Sequence, residues 1–285
     1  MKGNSKVFYR YMNSKRKTRE NASLLLSRPG DLVTKDIEKA KVLSAFFVSA
    51  FTSMTGFQQS QVPKTDGKAW SKEDLPSVEE DLVRQYLSKL DPHKSTGPDG
   101  MHPQVLKELA DVIVRPLLII FERSWQLGEV PQDWKKVSVT VSFQRDNKDD
   151  LGKYRLVSLT SIPGNTVKQI ILEIISKHIE QKKVIESIQH GFMKGKSCLT
   201  DLMLFYNKVT SSMDQRRTAD FVYRDFNKAF GTVSCNILIN KLEKYRLDKW
   251  TVRWSEDWLN CQVQSVVISS TKFSWRPVTS GVPQG

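Results

Sequence analysis

The segment most suggestive of chemistry in this chain is Val222-Tyr223-Arg224-Asp225-Phe226-Asn227-Lys228-Ala229-Phe230. The apolar residues at its start predict a short strand over 221–223 that ends at Asp225. A carboxylate at the end of a strand can face a cleft, and Mg²⁺ binds carboxylate oxygens together with substrate phosphates. A single aspartate in this position is also common as a turn former or a helix cap, so these residues alone leave both interpretations open.

The segments on either side of this stretch alternate between helical and extended patterns. Apolar residues at helical spacing predict helices, with strands where the pattern alternates, and Pro116 is expected to kink or split the long helix that contains it. The mixture predicts an α+β fold that is rich in helix. The predicted helices cover 36–51, 78–90, 105–121, 166–180, 199–213, 234–246 and 249–260; the predicted strands cover 137–143, 263–268 and 272–278, and 56–77 is predicted to be a polar linker.

Two basic segments are candidates for binding phosphate. The first, residues 189–198, contains Gly195-Lys196-Ser197, but only three residues separate Gly191 from that triplet, where a phosphate-binding P-loop needs four. The P-loop interpretation is therefore rejected. The second is Lys153-Tyr154-Arg155, where a guanidinium could grip phosphate oxygens. A surface ion pair is the alternative for Arg155.

The overall charge favours a polyanionic partner. The chain carries 44 Lys and Arg against 31 Asp and Glu, a net charge of +13, and residues 1–20 form a basic arm. Nucleic acid is the first expected partner, and a basic protein without a specific ligand is the alternative.

No apolar run approaches the length of a membrane span, no secretory signal is recognised, and the three cysteines lack zinc spacing. These features predict a nuclear or cytoplasmic protein that is not secreted, without a membrane partner and with no specific protein partner inferred.

Five short motifs, in this order, resemble the successive boxes of a LINE-type (non-LTR) retrotransposon reverse transcriptase of the jockey and chicken-repeat group. The resemblance extends over nearly all of the chain, and it implies a right-hand polymerase fold with fingers and a partial palm but without a thumb. The implied divisions are 1–75 for the arm, first helix and linker, 76–215 for a fingers-like region and 216–285 for the partial palm. The five motifs are 95–100 (STGPDG), 154–159 (YRLVSL), 189–197 (QHGFMKGKS), 225–230 (DFNKAF) and 281–285 (GVPQG).

The resemblance also assigns roles to individual residues. Asp225 corresponds to the first metal-binding, catalytic aspartate of the palm, and Mg²⁺ is the implied cofactor. Phe230 corresponds to the aromatic residue beneath the sugar of the incoming nucleotide, where it excludes a 2′-hydroxyl. Arg155 corresponds to the residue that grips the triphosphate, and Gln284 to the glutamine beside the incoming sugar and base.

The implied partners are an RNA template, a DNA primer and deoxynucleoside triphosphates. Lys194 and Lys196 lie near the expected path of the template. In the folded protein we expect Asp225, Phe230 and Arg155 to converge on one open groove, with Gln284 nearby.

Departures from the family pattern predict a chain that does not polymerise by itself. Gly231 stands where the family has aspartate, Leu156 where it has proline, and Arg224 where it usually has an aliphatic residue. No Tyr-x-Asp-Asp box follows Gln284 in these residues, so a truncated and inactive polymerase segment is expected. A basic protein that binds RNA or single strands without catalysis is the alternative. Truncation also predicts exposed apolar surface around residues 266–268.

Overall fold

A computed structural model describes most of the chain, and its elements run in the order predicted for a helix-rich α+β fold. The described residues are 25–26, 32–33, 35–51, 78–143, 151, 154–218, 220–224, 229–268 and 271–282. The linker predicted over 56–77 lies outside them. The helices are α1 (Asp36–Phe51), α2 (Glu80–Ser88), α3 (Pro103–Glu108), α4 (Ala110–Leu127), α5 (Ile162–Gln181), α6 (Cys198–Asp214), α7 (Cys235–Lys244) and α8 (Lys249–Asn260); the strands are β1 (Leu25–Leu26), β2 (Leu32–Val33), β3 (Lys136–Phe143), β4 (Tyr154–Thr160), β5 (Val263–Ile268), β6 (Thr271–Lys272) and β7 (Arg276–Pro277).

A small mixed sheet lies at the centre of the described residues. Strand β3 pairs antiparallel with β4 and parallel with β5, so that Val139 lies opposite Ser158 on one side and Val266 on the other. Strands β6 and β7 both pair antiparallel with β5. The predicted strand over 272–278 is therefore interrupted, because only 271–272 and 276–277 have strand geometry.

Helix α1 covers one face of this sheet. Its buried residues Ala40, Leu43 and Phe47 form one apolar cluster with Val266 and Ile268 of β5. The predicted exposure of the 266–268 segment is therefore wrong: Val266 and Ile268 are buried, and β5 has paired strands on both sides. The sequence pattern did not show which face of the sheet the first helix covers, because that pairing joins segments more than 200 residues apart.

The larger core forms where α2, α4, α5 and α8 meet. It includes Val83, Leu87, Phe121, Ile170 and Trp254, all buried. Helix α4 runs through Pro116 without a break, and the predicted long helix is divided instead at the residue before Ala110. A proline near the exposed side of a helix removes one backbone donor, and tertiary packing can offset that loss.

A buried ion pair fixes α8 against the short helical turn Gln132–Lys135. The Nζ atom of Lys135 lies 2.7 Å from the Asp257 carboxylate, which also accepts a 2.7 Å hydrogen bond from the backbone N–H of Val130. Burial opposes ionisation of Asp257, but the hydrogen bonds from Lys135 and Val130 outweigh it and hold the pKa of Asp257 below its ordinary value. The side chain of Lys135 is almost wholly buried, so its charge depends on this partner.

Candidate functional site

The last two sequence motifs meet in the folded chain. The backbone N–H of Val282 donates a 3.0 Å hydrogen bond to the carbonyl of Phe230, and the N–H of Gly281 donates a 2.8 Å bond to the carbonyl of Val233. A Cβ placed on Gly281 would lie 2.8 Å from the Cα and the carbonyl oxygen of Gly231. Gly281 also has a φ of +84°, a conformation that favours glycine. We call this contact the glycine junction; it brings together residues about 50 positions apart.

The first motif lies against the backbone that directly follows the second motif. A Cβ on Gly97 would lie 2.4 Å from the carbonyl oxygen of Thr160, at the end of β4. The next residue, Ser161, accepts a 3.2 Å hydrogen bond from the N–H of Gly164 and so caps α5. Glycine at position 97 therefore lets the 95–100 loop touch the backbone where β4 passes into α5.

The third motif forms a loop that its own side chains hold in place. The ammonium of Lys196 donates to the carbonyls of Ser187 and of Gln189, the latter at 2.8 Å. The hydroxyl of Ser197 accepts a hydrogen bond from the N–H of Thr200, whose own hydroxyl accepts from the N–H of Ser197 at 2.9 Å. This reciprocal capping box begins α6. Lys196 therefore directs much of its hydrogen bonding into the loop, whereas Lys194 is exposed.

An aromatic contact links this loop to the fourth motif. The ring of Phe192 lies edge-on to the ring of Phe230, with 5.6 Å between the ring centres, and Phe192 is 95% exposed. The loop, α6 and Tyr223 line an open cavity of about 550 Å³ beside this contact. The residues that line it combine aromatic, basic, hydroxyl and acidic groups: His190, Gly191, Phe192, Lys196, Ser197, Cys198, Asp201, Leu202, Phe205 and Tyr223.

The structure brings together only some of the site residues predicted from sequence. Lys196 lines this cavity together with Phe192, and Phe230 contacts the ring of Phe192. Arg155 is an exposed residue of β4, opposite Ser142 of β3, and does not line the cavity. Asp225 and Gln284 lie outside the described residues, so the expected convergence of these groups on one groove stays a prediction.

The predicted strand before Asp225 is wrong. Residues 220–224 have no strand geometry, and Phe221, Val222 and Tyr223 are exposed. Without a neighbouring strand that offers backbone partners, their apolar character is not enough to make a strand. Arg224, which stands where the family usually has an aliphatic residue, is exposed as well.

The aromatic residues of this region received no role from the sequence motifs. Phe192 lies inside the third motif, and Tyr223 lies two residues before Asp225, but neither was predicted to have a function. Tyr223 is 85% exposed and lines the cavity, while Phe205 of α6 packs against Phe221 with 5.1 Å between the ring centres. Exposed aromatic residues beside lysines are typical of surfaces that stack nucleic-acid bases, and that combination was visible in the sequence.

The described residues contain no group of three or more His, Cys, Asp or Glu side chains that could hold a metal ion. No helix within the same ranges is long and apolar enough to cross a membrane.

Comparison with known proteins matches residues 146–285 to the family described as reverse transcriptase (RNA-dependent DNA polymerase). The RNA-directed DNA polymerase from mobile element jockey of Drosophila melanogaster is 24% identical over 213 residues, which cover 74% of this chain and 23% of that protein. The putative 115 kDa protein in type-1 retrotransposable element R1DM of the same fly is 25% identical over 283 residues, 97% of this chain and 25% of its own length.

A probable RNA-directed DNA polymerase from transposon BS, also of Drosophila melanogaster, is 19% identical over 220 residues, which cover 75% of this chain and 24% of that protein. This chain spans about a quarter of the length of each of these curated relatives. The match of residues 146–285, the order of the five motifs and the mobile-element relatives all support a LINE-type (non-LTR) reverse transcriptase segment.

Proposed function

We propose that this chain supplies the nucleotide-contacting and template-contacting surface of an RNA-directed DNA polymerase of a mobile element. The observation that carries the proposal is the glycine junction, since it joins the motif that ends in Phe230 to the motif that begins at Gly281. The resemblance gives both motifs to the incoming nucleotide. Their contact in the folded chain is what a shared nucleotide site requires.

Phe230 is suited to select the sugar of the nucleotide. Its side chain is 41% exposed, so a ligand can reach it, and its ring lies edge-on to that of Phe192. An aromatic ring beneath the sugar would collide with a 2′-hydroxyl and leave a deoxyribose unhindered. The proposed substrates are therefore deoxynucleoside triphosphates.

Two charged residues complete the proposed site. Arg155 is exposed on β4, and its planar guanidinium can donate two parallel hydrogen bonds to phosphate oxygens. Asp225 is proposed as the catalytic aspartate and as one ligand of Mg²⁺, with Gln284 beside the sugar and base. A bound Mg²⁺ would steady the charge that develops on the phosphoryl group. The donor chemistry of Asp225 suits this ion, since carboxylate oxygen is a hard ligand.

Nucleotide binding tests the proposal. We would measure the affinity of the chain, with Mg²⁺ and a template–primer duplex present, for fluorescent dTTP and for the matching UTP. We expect Phe230→Val to reduce the ratio of the affinity for dTTP to that for UTP. We expect Arg155→Ala to lower the affinity for both nucleotides about tenfold or more, because a charge-assisted bidentate contact is lost. Arg123→Ala removes another exposed charge, from α4, and serves as the control. Equal effects of Arg155→Ala and Arg123→Ala would contradict the assignment of Arg155.

A second candidate function is charge-driven binding of RNA or single-stranded DNA without catalysis. The net charge of +13 and the exposed Lys194 beside Phe192 favour it. We propose that a polypeptide of these 285 residues does not polymerise, because it holds one candidate palm carboxylate where two metal ions must be placed. The two functions differ in the nucleotide assay, since only the first predicts a preference for dTTP over UTP.

A further inference from the structure

The cavity beside α6 contains an acidic group that no other described side chain or backbone group engages. Asp201 lies in the first turn of α6 and lines the cavity. Within the ranges that the structure describes, no hydrogen bond or ion pair reaches its carboxylate, and its side chain is exposed. An ionised carboxylate accepts hydrogen bonds and donates none. The cavity therefore presents an acceptor to any ligand that enters it.

The charges of the cavity argue against a phosphate as that ligand. Asp201 would repel it, and the ammonium of Lys196 is engaged by the carbonyls of Ser187 and Gln189. The walls are instead suited to a flat, uncharged ring. Phe192 and Tyr223 are 95% and 85% exposed, and the ring of Phe192 lies edge-on to that of Phe230. Aromatic faces of this kind stack on unpaired bases.

The size of the cavity also fits one nucleotide unit. A volume of about 550 Å³ lies within the range of small-molecule sites and can hold one base with its sugar. The phosphates on either side of such a base would then lie outside the cavity. Lys194 is exposed on the same loop and carries the charge that could receive one of them.

We propose that this cavity binds one unstacked guanine of a single-stranded nucleic acid. Guanine presents two neighbouring donors, N1–H and the exocyclic N2 amino group, which match the two oxygens of the Asp201 carboxylate. Adenine and cytosine each offer one amino donor on the corresponding edge, and uracil offers one N–H between two carbonyls. The inference rests on the proposed single-strand binding, and it adds a preference for one base.

Oligonucleotides that differ at one position test the inference. We would measure by fluorescence anisotropy the affinity of the chain for a labelled U10 RNA and for versions with one central guanine, adenine or cytosine. We expect the guanine version to bind about tenfold more tightly than U10, as for other bidentate base contacts. Asp201→Asn should remove most of this gain. Asp214→Asn makes the same change at the other end of α6, outside the cavity, and should preserve the gain.

Stacking is tested by a second pair of variants. Phe192→Ala should lower the affinity for the guanine-containing oligonucleotide several-fold. Tyr206→Ala is the control and should leave that affinity unchanged, because Tyr206 is an exposed aromatic residue of α6 that does not line the cavity. A gain from guanine that survives Asp201→Asn, or equals the gain from adenine, would overturn the guanine assignment while single-strand binding remains. Failure of every oligonucleotide to bind would overturn the proposed single-strand binding as well.

Discussion

Replacing Gly281 with alanine should open the glycine junction. The substitution has two costs. A φ of +84° places an alanine in the left-handed region, at about 1–2 kcal/mol. The new Cβ would also lie 2.8 Å from the backbone of Gly231, and overpacking against atoms that cannot rotate away costs about 1–3 kcal/mol more.

The sum of about 2–5 kcal/mol should appear as local opening, because the junction depends on few contacts. Two backbone hydrogen bonds and the hydroxyl of Ser280, which donates to the carbonyl of Gly231 at 3.2 Å, hold the two segments together. Since 1.4 kcal/mol is a tenfold change, the open population should rise about 25-fold or more.

The thiol of Cys235 reports this opening. Cys235 is buried, with its Sγ atom 4.0 Å from the carbonyl oxygen of Gly281, and burial raises the pKa of the thiol. A thiol with a raised pKa reacts slowly, since the thiolate is the nucleophile. In a background where the exposed Cys198 and Cys261 are serine, Gly281→Ala should speed labelling of Cys235 by a disulfide reagent in proportion to the open population.

Gly195→Ala is the matched control for this experiment. Gly195 has a φ of +76°, but a Cβ added there would meet no atom within 4 Å, so alanine incurs the backbone strain and no collision. Its effect on Cys235 should be negligible. If the reagent labels Cys235 no faster in the Gly281→Ala variant than in the Gly195→Ala variant, the glycine junction does not hold the last motif in place.

Asp257→Asn should lower the free energy of unfolding, measured in urea, by about 3–5 kcal/mol, because it leaves Lys135 buried without its ionic partner. Asp133→Asn, which breaks the exposed pair with Lys136, should lower it by at most about 1 kcal/mol. Because the pKa of Asp257 is lowered in the folded state, its contribution is complete above the ordinary aspartate pKa of about 4 and is lost as the pH falls through the lowered value. Unfolding curves at pH 3 and pH 7 should therefore differ more for the wild type than for Asp257→Asn; equal differences would exclude this role. Affinity for unrelated RNAs should fall steeply with salt, by about 0.7 log units per log unit of salt for each phosphate contact, and a flat response would contradict charge-driven binding. The 285-residue chain should show no primer extension on an RNA template, and any extension that Asp225→Ala abolishes would disprove the expectation.

Local patterns in the sequence indicated the reverse transcriptase resemblance and much of the local structure. Five short motifs carried the resemblance, and the periodic apolar residues place α1, α6 and α8 to within a residue or two. Both are local properties, since a helix depends on side chains three and four positions apart and a motif on its neighbours.

Contacts between segments far apart in the chain are visible only in the folded protein. The contact of Gly281 with Gly231, the covering of Val266 by α1, and the meeting of Phe192 with Phe230 each join positions that no periodic pattern relates. The failed strand over 221–223 shows the same limit, because an extended segment becomes a strand only when another strand offers backbone partners. Apolar character is written in the sequence, but the partner that buries it is chosen by the packing of the whole chain.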